Sequence, residues 1–416
     1  MSLTLAASFL LPLPLALVVW RLGAGPRTRL AVVLAGATAV VAFSAVAAAV
    51  APVIPRPLAD LQIGALAPTR LAAGVVVAAL AAQVLEVAIG EGATPGLAAT
   101  SVLLAVPAVV VLTGTGLVPV ALGCGAVLGV VWVRWSRAAG PQLPVRSLAR
   151  QALLTMGALL VGAVITPSVE QGAAPGILVA ILYAGAVTSL MGVVPFSLIP
   201  GASRRVGAAE ASLWRVWLLP IGAILGLRLV AASPHPIGLP LQELLIGLGV
   251  AAAVFWSLHG LVADPGSRYW SVAAADAGLV AAAVGLGSVT ALGAVLLLLL
   301  AHWLGGAVLS EDAGRRSQLV AWVGVSGTPP FGGFTGRLLL VLAAAPVSST
   351  LATWLLAVMG LQLAGSALGM RAATQAPRRP AGGRTREAVA LLVAVATLVI
   401  GVVPQQALSA VFGVHL

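Results

Sequence analysis

Apolar runs of about twenty residues follow one another along almost the whole chain, parted only by short loops. A helix of about 20 apolar residues is what a bilayer's hydrocarbon core requires, and no other open element can satisfy its backbone there. Of the 416 residues 60% are hydrophobic and only 8% charged, and no stretch is polar enough to form a separate soluble domain. The fold class this dictates is an all-α polytopic membrane protein, with residues 1–416 as one transmembrane domain.

The runs divide into fourteen spans, at 3–20, 30–53, 69–88, 98–113, 116–133, 149–166, 174–198, 208–231, 241–262, 270–286, 289–309, 318–344, 350–370 and 386–413. The first resembles the apolar part of a signal peptide, but no charged residue precedes it and no convincing cleavage site follows, so it reads as a retained helix. All 22 basic residues are arginine, and most sit in alternate loops. Arg21, Arg27 and Arg29 follow span 1, Arg134, Arg137, Arg146 and Arg150 surround the 5–6 loop, and Arg204 and Arg205 lie in the 7–8 loop. Arg268, the pair Arg315 and Arg316, and the group Arg371 to Arg386 continue the series. Arg56 and Arg70, at the ends of the 2–3 loop, stand outside the alternation, and the 3–4 loop carries Glu91 and no arginine. The positive-inside rule then puts both termini on the outer face of a bacterial-type plasma membrane. The net charge of +11 is thus a topology signal and gives no footprint for nucleic acid; lipids are the expected surroundings.

Two spans are interrupted. Span 12 holds Ser326-Gly-Thr-Pro-Pro-Phe-Gly-Gly-Phe-Thr-Gly-Arg337, and span 7 ends Gly192-Val-Val-Pro-Phe-Ser-Leu-Ile-Pro200. Pro329, Pro330 and Pro195 each lack an N–H and clash with the preceding turn, so helix breaks are expected there. A broken helix at membrane depth must turn its freed backbone groups toward protein or a wet cavity. The breaks lie five spans apart, which suggests two inverted five-helix repeats, spans 4–8 (98–232) and 9–13 (239–372). Residues 1–97 then carry spans 1–3, and 384–416 carry span 14.

The stretch from Ser326 to Arg337 resembles the broken twelfth helix of the antiporter-like subunits of respiratory complex I, whose motif reads roughly Ala-Gly-Ile-Pro-Pro-x-x-Gly-Phe-x-Gly-Lys. That superfamily includes membrane-bound hydrogenases and multisubunit cation/proton antiporters. Val194-Pro-Phe-Ser-Leu-Ile-Pro200 is similar to the family's Val-Pro-Phe-His-x-Trp-x-Pro. The resemblance implies a multisubunit complex I-related assembly with membrane-arm and redox subunits as partners. The electron chemistry would then belong to other chains, with no cofactor in this one. It also implies a central axis of proton-exchanging residues, and here this sequence departs from the pattern. The helix-7 lysine position is Leu190, the helix-8 lysine position is Pro220, the histidine position is Ser197, and span 5 has no acid. The helix-12 position is Arg337, and arginine does not release its proton at accessible pH.

Few ionisable residues remain inside the spans, and each has two readings. Ionisable groups at membrane depth mark function by default, whereas those near a helix end can snorkel. Glu86 lies toward one end of span 3 and reads as an interfacial carboxylate or a buried one. Arg215 in span 8 has Glu210 or a lipid phosphate as candidate partners, and Arg228 is placed to snorkel. Asp276, His302 and Arg337 either form a polar cluster or are three separately satisfied residues. The expectation is a dry, apolar first half and a short wet segment around Arg337. Cys124 is the single cysteine, and the four histidines show no metal-ligand spacing. Nucleotide, haem, iron–sulfur and nucleophile motifs are not visible. The best reading is a structural membrane-arm subunit of a quinone reductase or hydrogenase-like complex, with an incomplete proton channel. The rivals are a self-standing cation/proton transporter and the membrane half of an inorganic-carbon uptake complex with a soluble zinc-binding partner.

Overall fold

The computed structural model describes residues 68–89, 95–113, 117–139, 145–195, 206, 208–310, 315–375, 383–412 and 414. Spans 1 and 2 of the sequence reading lie outside these residues, as does Ser197. The described residues contain helices and turns and no strand. In chain order the helices are α1 (Pro68–Ile89), α2 (Pro95–Thr113), α3 (Leu117–Ala139), α4 (Val145–Glu170) and α5 (Gly176–Met191). Then come α6 (Ala208–Leu213), a π turn (Trp214–Leu218), α7 (Leu219–Ala232), α8 (His235–Val262), α9 (Pro265–Leu286) and α10 (Val289–Ser310). The chain closes with α11 (Arg315–Ser326), α12 (Gly332–Ala344), α13 (Ser349–Gln375), α14 (Gly383–Val402) and α15 (Pro404–Phe412). Each of the expected spans 3 to 14 has its helix or broken helix here. Span 14 differs from the expectation of one helix: Pro404, which cannot continue the hydrogen-bond ladder, divides it into α14 and α15.

Among the described residues seven helices are long and apolar enough to cross a membrane by themselves. Their burial separates centre from rim. The spans of α9 and α10 are 94% and 89% buried, and that of α4 only 22%. Leu153, Leu154, Val161 and Val164 of α4 point outward, as lipid-facing residues do. The central α8–α9 contact is backbone against backbone. A Cβ on Gly249 would lie 2.5 Å from Ala282 N and Gly278 O, and one on Gly278 would lie 2.6 Å from Gly249 O. Small residues allow this approach, which supplies dispersion contacts where lipid tails give no hydrophobic drive.

Both interrupted spans break at a left-handed glycine. Gly192 (φ 85) ends α5 and precedes Pro195 by three residues; Gly327 (φ 80) follows α11 and precedes Pro330 by three. The Val194–Pro195 and Pro329–Pro330 peptides are cis. Each break leaves orphan carbonyls that need donors. At the first break Trp214 donates its indole N–H to Met191 O at 3.0 Å, and at the second Arg337 donates Nη1 to Val325 O at 3.0 Å. In both places a Cβ on the glycine would collide with the capping side chain. The two breaks therefore share one backbone solution, one closed by a neutral donor and the other by a charged one.

Candidate functional site

The site forms where α9 and α10 run side by side. On α9, Tyr269 and Asp276 are seven residues apart, two turns on one face. On α10, His302 and Gly306 are one turn apart on one face. The helices follow each other through the short turn at Gly287 and Ser288, so they are antiparallel, and Asp276 meets His302 while Tyr269 meets Gly306. The result is a pair of rungs, each entered by an arginine from another helix.

On the first rung Arg337 from α12 forks onto Asp276, Nε to Oδ1 at 3.1 Å and Nη2 to Oδ2 at 2.6 Å. His302 Nε2 lies 2.5 Å from Oδ2, and Gln362 of α13 donates Nε2 to Oδ1 at 2.9 Å. Asp276, His302, Arg337 and Gln362 are all at most 2% exposed. A buried charge survives only when paired and hydrogen-bonded, and this carboxylate has four donors or partners around it. Two-point guanidinium–carboxylate pairing also fixes orientation. Arg337 reaches Asp276 while capping the end of α11, so the helix break and the ion pair share one side chain.

On the second rung Arg215 pairs with Glu86 of α1 and donates Nη1 to the backbone carbonyl of His302. Arg215 stands in the π turn, which comes just before Pro220, where the missing N–H interrupts the regular ladder. The Arg215 carbonyl accepts from Trp303 Nε1 at 3.3 Å. Its guanidinium carbon lies 5.9 Å from the Tyr269 ring centroid, and that ring lies 6.2 Å from the imidazole of His302.

Three expectations change. Glu86 is fully buried and paired, and is no interfacial carboxylate. Arg215 does not take Glu210; Arg134 does, through Nε at 3.0 and 2.8 Å from the two carboxylate oxygens, and Trp135 holds the Glu210 carbonyl. Glu210 lies one and a half helical turns from Arg215, so the two side chains leave the helix in different directions. Arg228, half-buried, turns inward far enough to donate to Val111 O of α2.

The first half is also not uniformly apolar. Between α4 and α5 runs a neutral seam in which Gln151 donates to Ser189 O at 3.0 Å, Thr155 to Ser189 Oγ at 2.9 Å, and Thr166 and Tyr183 share a 2.9 Å hydrogen bond. Leu190 lies fully buried beside it. The charged network is therefore not confined to the second half, since Glu86 and Arg215 extend it toward α1 and the π turn. Tyr269, Gly306 and Gln362 were not singled out from the sequence. The one trace they leave there is spacing: Tyr269 stands seven before Asp276, Gly306 four after His302, and Gln362 is an amide inside an apolar span.

No protein-family model and no curated protein matches this sequence. Solved structures do match it in fold. A chain of respiratory complex I from Thermus thermophilus with bound aureothin superposes with a TM-score of 0.73 at 19% identity, covering 97% of each chain. The same complex with bound NADH gives a TM-score of 0.72 at 16% identity, over 98% of this chain and 97% of that one. A chain of the Mrp complex from Dietzia sp. DQ12-45-1b gives 0.75 at 17% identity, over 99% and 96%. The chain shares its fold with these chains of respiratory complex I and of the Mrp complex. The superpositions span nearly the full length of this chain and of each matched one. At identities below one fifth, the likeness speaks for the fold of this multi-pass membrane protein, and the side chains of the site must speak for its chemistry.

Proposed function

We propose that this chain is an antiporter-like membrane-arm subunit of a complex I-related assembly, with a structural role and no complete proton path of its own. The redox chemistry of a quinone reductase or hydrogenase-like partner set would reside in other chains. The observation that carries the reading is the pairing of the buried charges: Arg215 closes on Glu86 and Arg337 on Asp276. A relay needs groups that exchange protons near the working pH. Arginine holds its proton throughout, and the chain has no lysine. Histidine is the residue type suited to such exchange, and His302 stands between the two arginines. Two permanent cations, each neutralised by a carboxylate, hold five helices together across the site. They can order the interior, but they cannot pass a proton along it.

The neutral seam of α4 and α5 supports the same reading. Its hydroxyls and amide carry no charge, and beside them lies Leu190, which the motif resemblance aligns with the family's helix-7 lysine.

The test is to tag the chain in its native membrane, solubilise it gently and identify the chains that accompany it in stoichiometric amounts. Redox and further membrane-arm subunits are expected. A stable homo-oligomer that exchanges cations for protons in vesicles would select the self-standing transporter. A soluble zinc-binding partner would select inorganic-carbon uptake.

A further inference from the structure

We propose that Tyr269 is a positioning residue that joins the two buried ion pairs into one unit, so that the state of Glu86 is felt at the ring of His302. The inference does not depend on which assembly the chain joins, and its failure would leave the reading above standing.

Tyr269 meets Arg215 of one pair and His302, which contacts Asp276 of the other. Its ring centroid lies 5.9 Å from the Arg215 guanidinium carbon and 6.2 Å from the His302 ring. Trp270 at 5.1 Å and Trp322 at 6.5 Å, both edge-to-face, hold that ring from two other sides. Such packing leaves a buried tyrosine few alternative rotamers. Its hydroxyl and Arg215 Nη1 both converge on Gly306, where a methyl group would overlap both atoms. The absent side chain at position 306 is thus the notch in which the hydroxyl and the guanidinium sit together. One turn earlier on α10, the carbonyl of His302 accepts from the same guanidinium.

These contacts give Arg215 two holds on the His302 segment: a hydrogen bond to its backbone and an aromatic ring wedged against its imidazole. Movement of Arg215 away from Glu86 would shift both. The imidazole in turn contacts Asp276, which Arg337 and Gln362 hold from the other side. Among the described residues, the charged and titratable groups beside His302 are Asp276 and Tyr269 on α9 and Arg215 in the π turn, with Arg337 behind Asp276 and Glu86 behind Arg215. A change at Glu86 acting only through space, or only through the Arg215 hydrogen bond to the His302 carbonyl, would reach His302 whether or not Tyr269 is present. Coupling through Tyr269 would not.

That difference supplies the test. The full chain is placed in lipid nanodiscs with ¹⁵N-labelled histidine, and the His302 ring signal is assigned by its loss in His302→Gln. The pH midpoint of that signal is measured for wild type, Glu86→Gln, Tyr269→Leu and the double variant. Glu86→Gln is expected to change the proton affinity of His302 by about threefold or more with Tyr269 in place, and by less than half as much, on a logarithmic scale, with leucine there. Equal changes in the two backgrounds would overturn the proposal. Should the leucine variant fail to fold, Tyr269→Phe replaces it. The ring then stays but the hydroxyl leaves the notch, and a reduced effect of Glu86→Gln on the midpoint is again required, with an undiminished effect counting against the proposal.

Discussion

Arg337 and Asp276 stand 61 residues apart in sequence and meet through two hydrogen bonds of 3.1 and 2.6 Å, both side chains buried. The same arginine donates to Val325 O and closes the end of α11. One side chain thus neutralises the carboxylate and caps the broken span.

Removing either member should leave an uncompensated buried charge, at a cost of about 3–5 kcal/mol. Arg337→Met and Asp276→Leu are each expected to lower the amount of assembled protein and its thermal stability in detergent. The double variant should be less impaired than the sum of the two, because it strands no charge. If Arg337→Met assembles normally and turnover of the complex persists while coupled pumping is lost, Arg337 lies on a working path and the structural reading fails.

The notch at Gly306 gives a second expectation. A methyl there would fall on Arg215 Nη1 and the Tyr269 hydroxyl. Gly306→Ala should destabilise the protein by about 1–3 kcal/mol through overpacking, despite alanine's better helix propensity. Gly247→Ala in α8, which would meet nothing within 4 Å, serves as the control and should be neutral or slightly stabilising. Equal melting temperatures for the two variants would contradict the notch.

Glu86 and Glu210 should respond differently to loss of charge. Glu86 is fully buried with Arg215, whereas the side chains of Glu210 and Arg134 keep 11% and 20% exposure. Glu86→Gln is therefore expected to cost several-fold more stability than Glu210→Gln, since water can reach the half-buried Arg134 more readily than Arg215. The comparison is read from thermal unfolding of the two variants in the same detergent, and a larger loss for Glu210→Gln would contradict the contrast in burial.

Topology can be checked independently of the site. Reporter fusions at the C-terminus and at Arg379 should report opposite sides of the membrane, because arginine-rich and arginine-poor loops alternate. The same side for both would remove the fourteen-span arrangement.

Element type and break position were legible in the sequence because their causes are local. Runs of apolar residues dictate helices in a bilayer, and a proline without its N–H interrupts a helix wherever it stands. The glycines three residues before Pro195 and Pro330 mark where the chain turns left-handed, a backbone state that side-chain-bearing residues adopt at a cost. The π turn at Trp214–Leu218 was less legible, since Pro220 explains why a ladder falters there but not how the helix resumes.

Partner choice was legible only where helix position left one candidate. Asp276, His302 and Arg337 could be grouped by their depth in neighbouring spans. Glu86 could not be matched to Arg215, because nothing local links them and Glu210 stood nearer in sequence. Sequence by itself determined an all-helical membrane fold, the two interruptions and the need of each buried charge for a counter-charge. Only the tertiary structure decided which carboxylate meets which arginine. A buried charge takes the opposite charge that packing brings within hydrogen-bond reach, and that is set by how α1, α9, α10, α12 and the π turn cross.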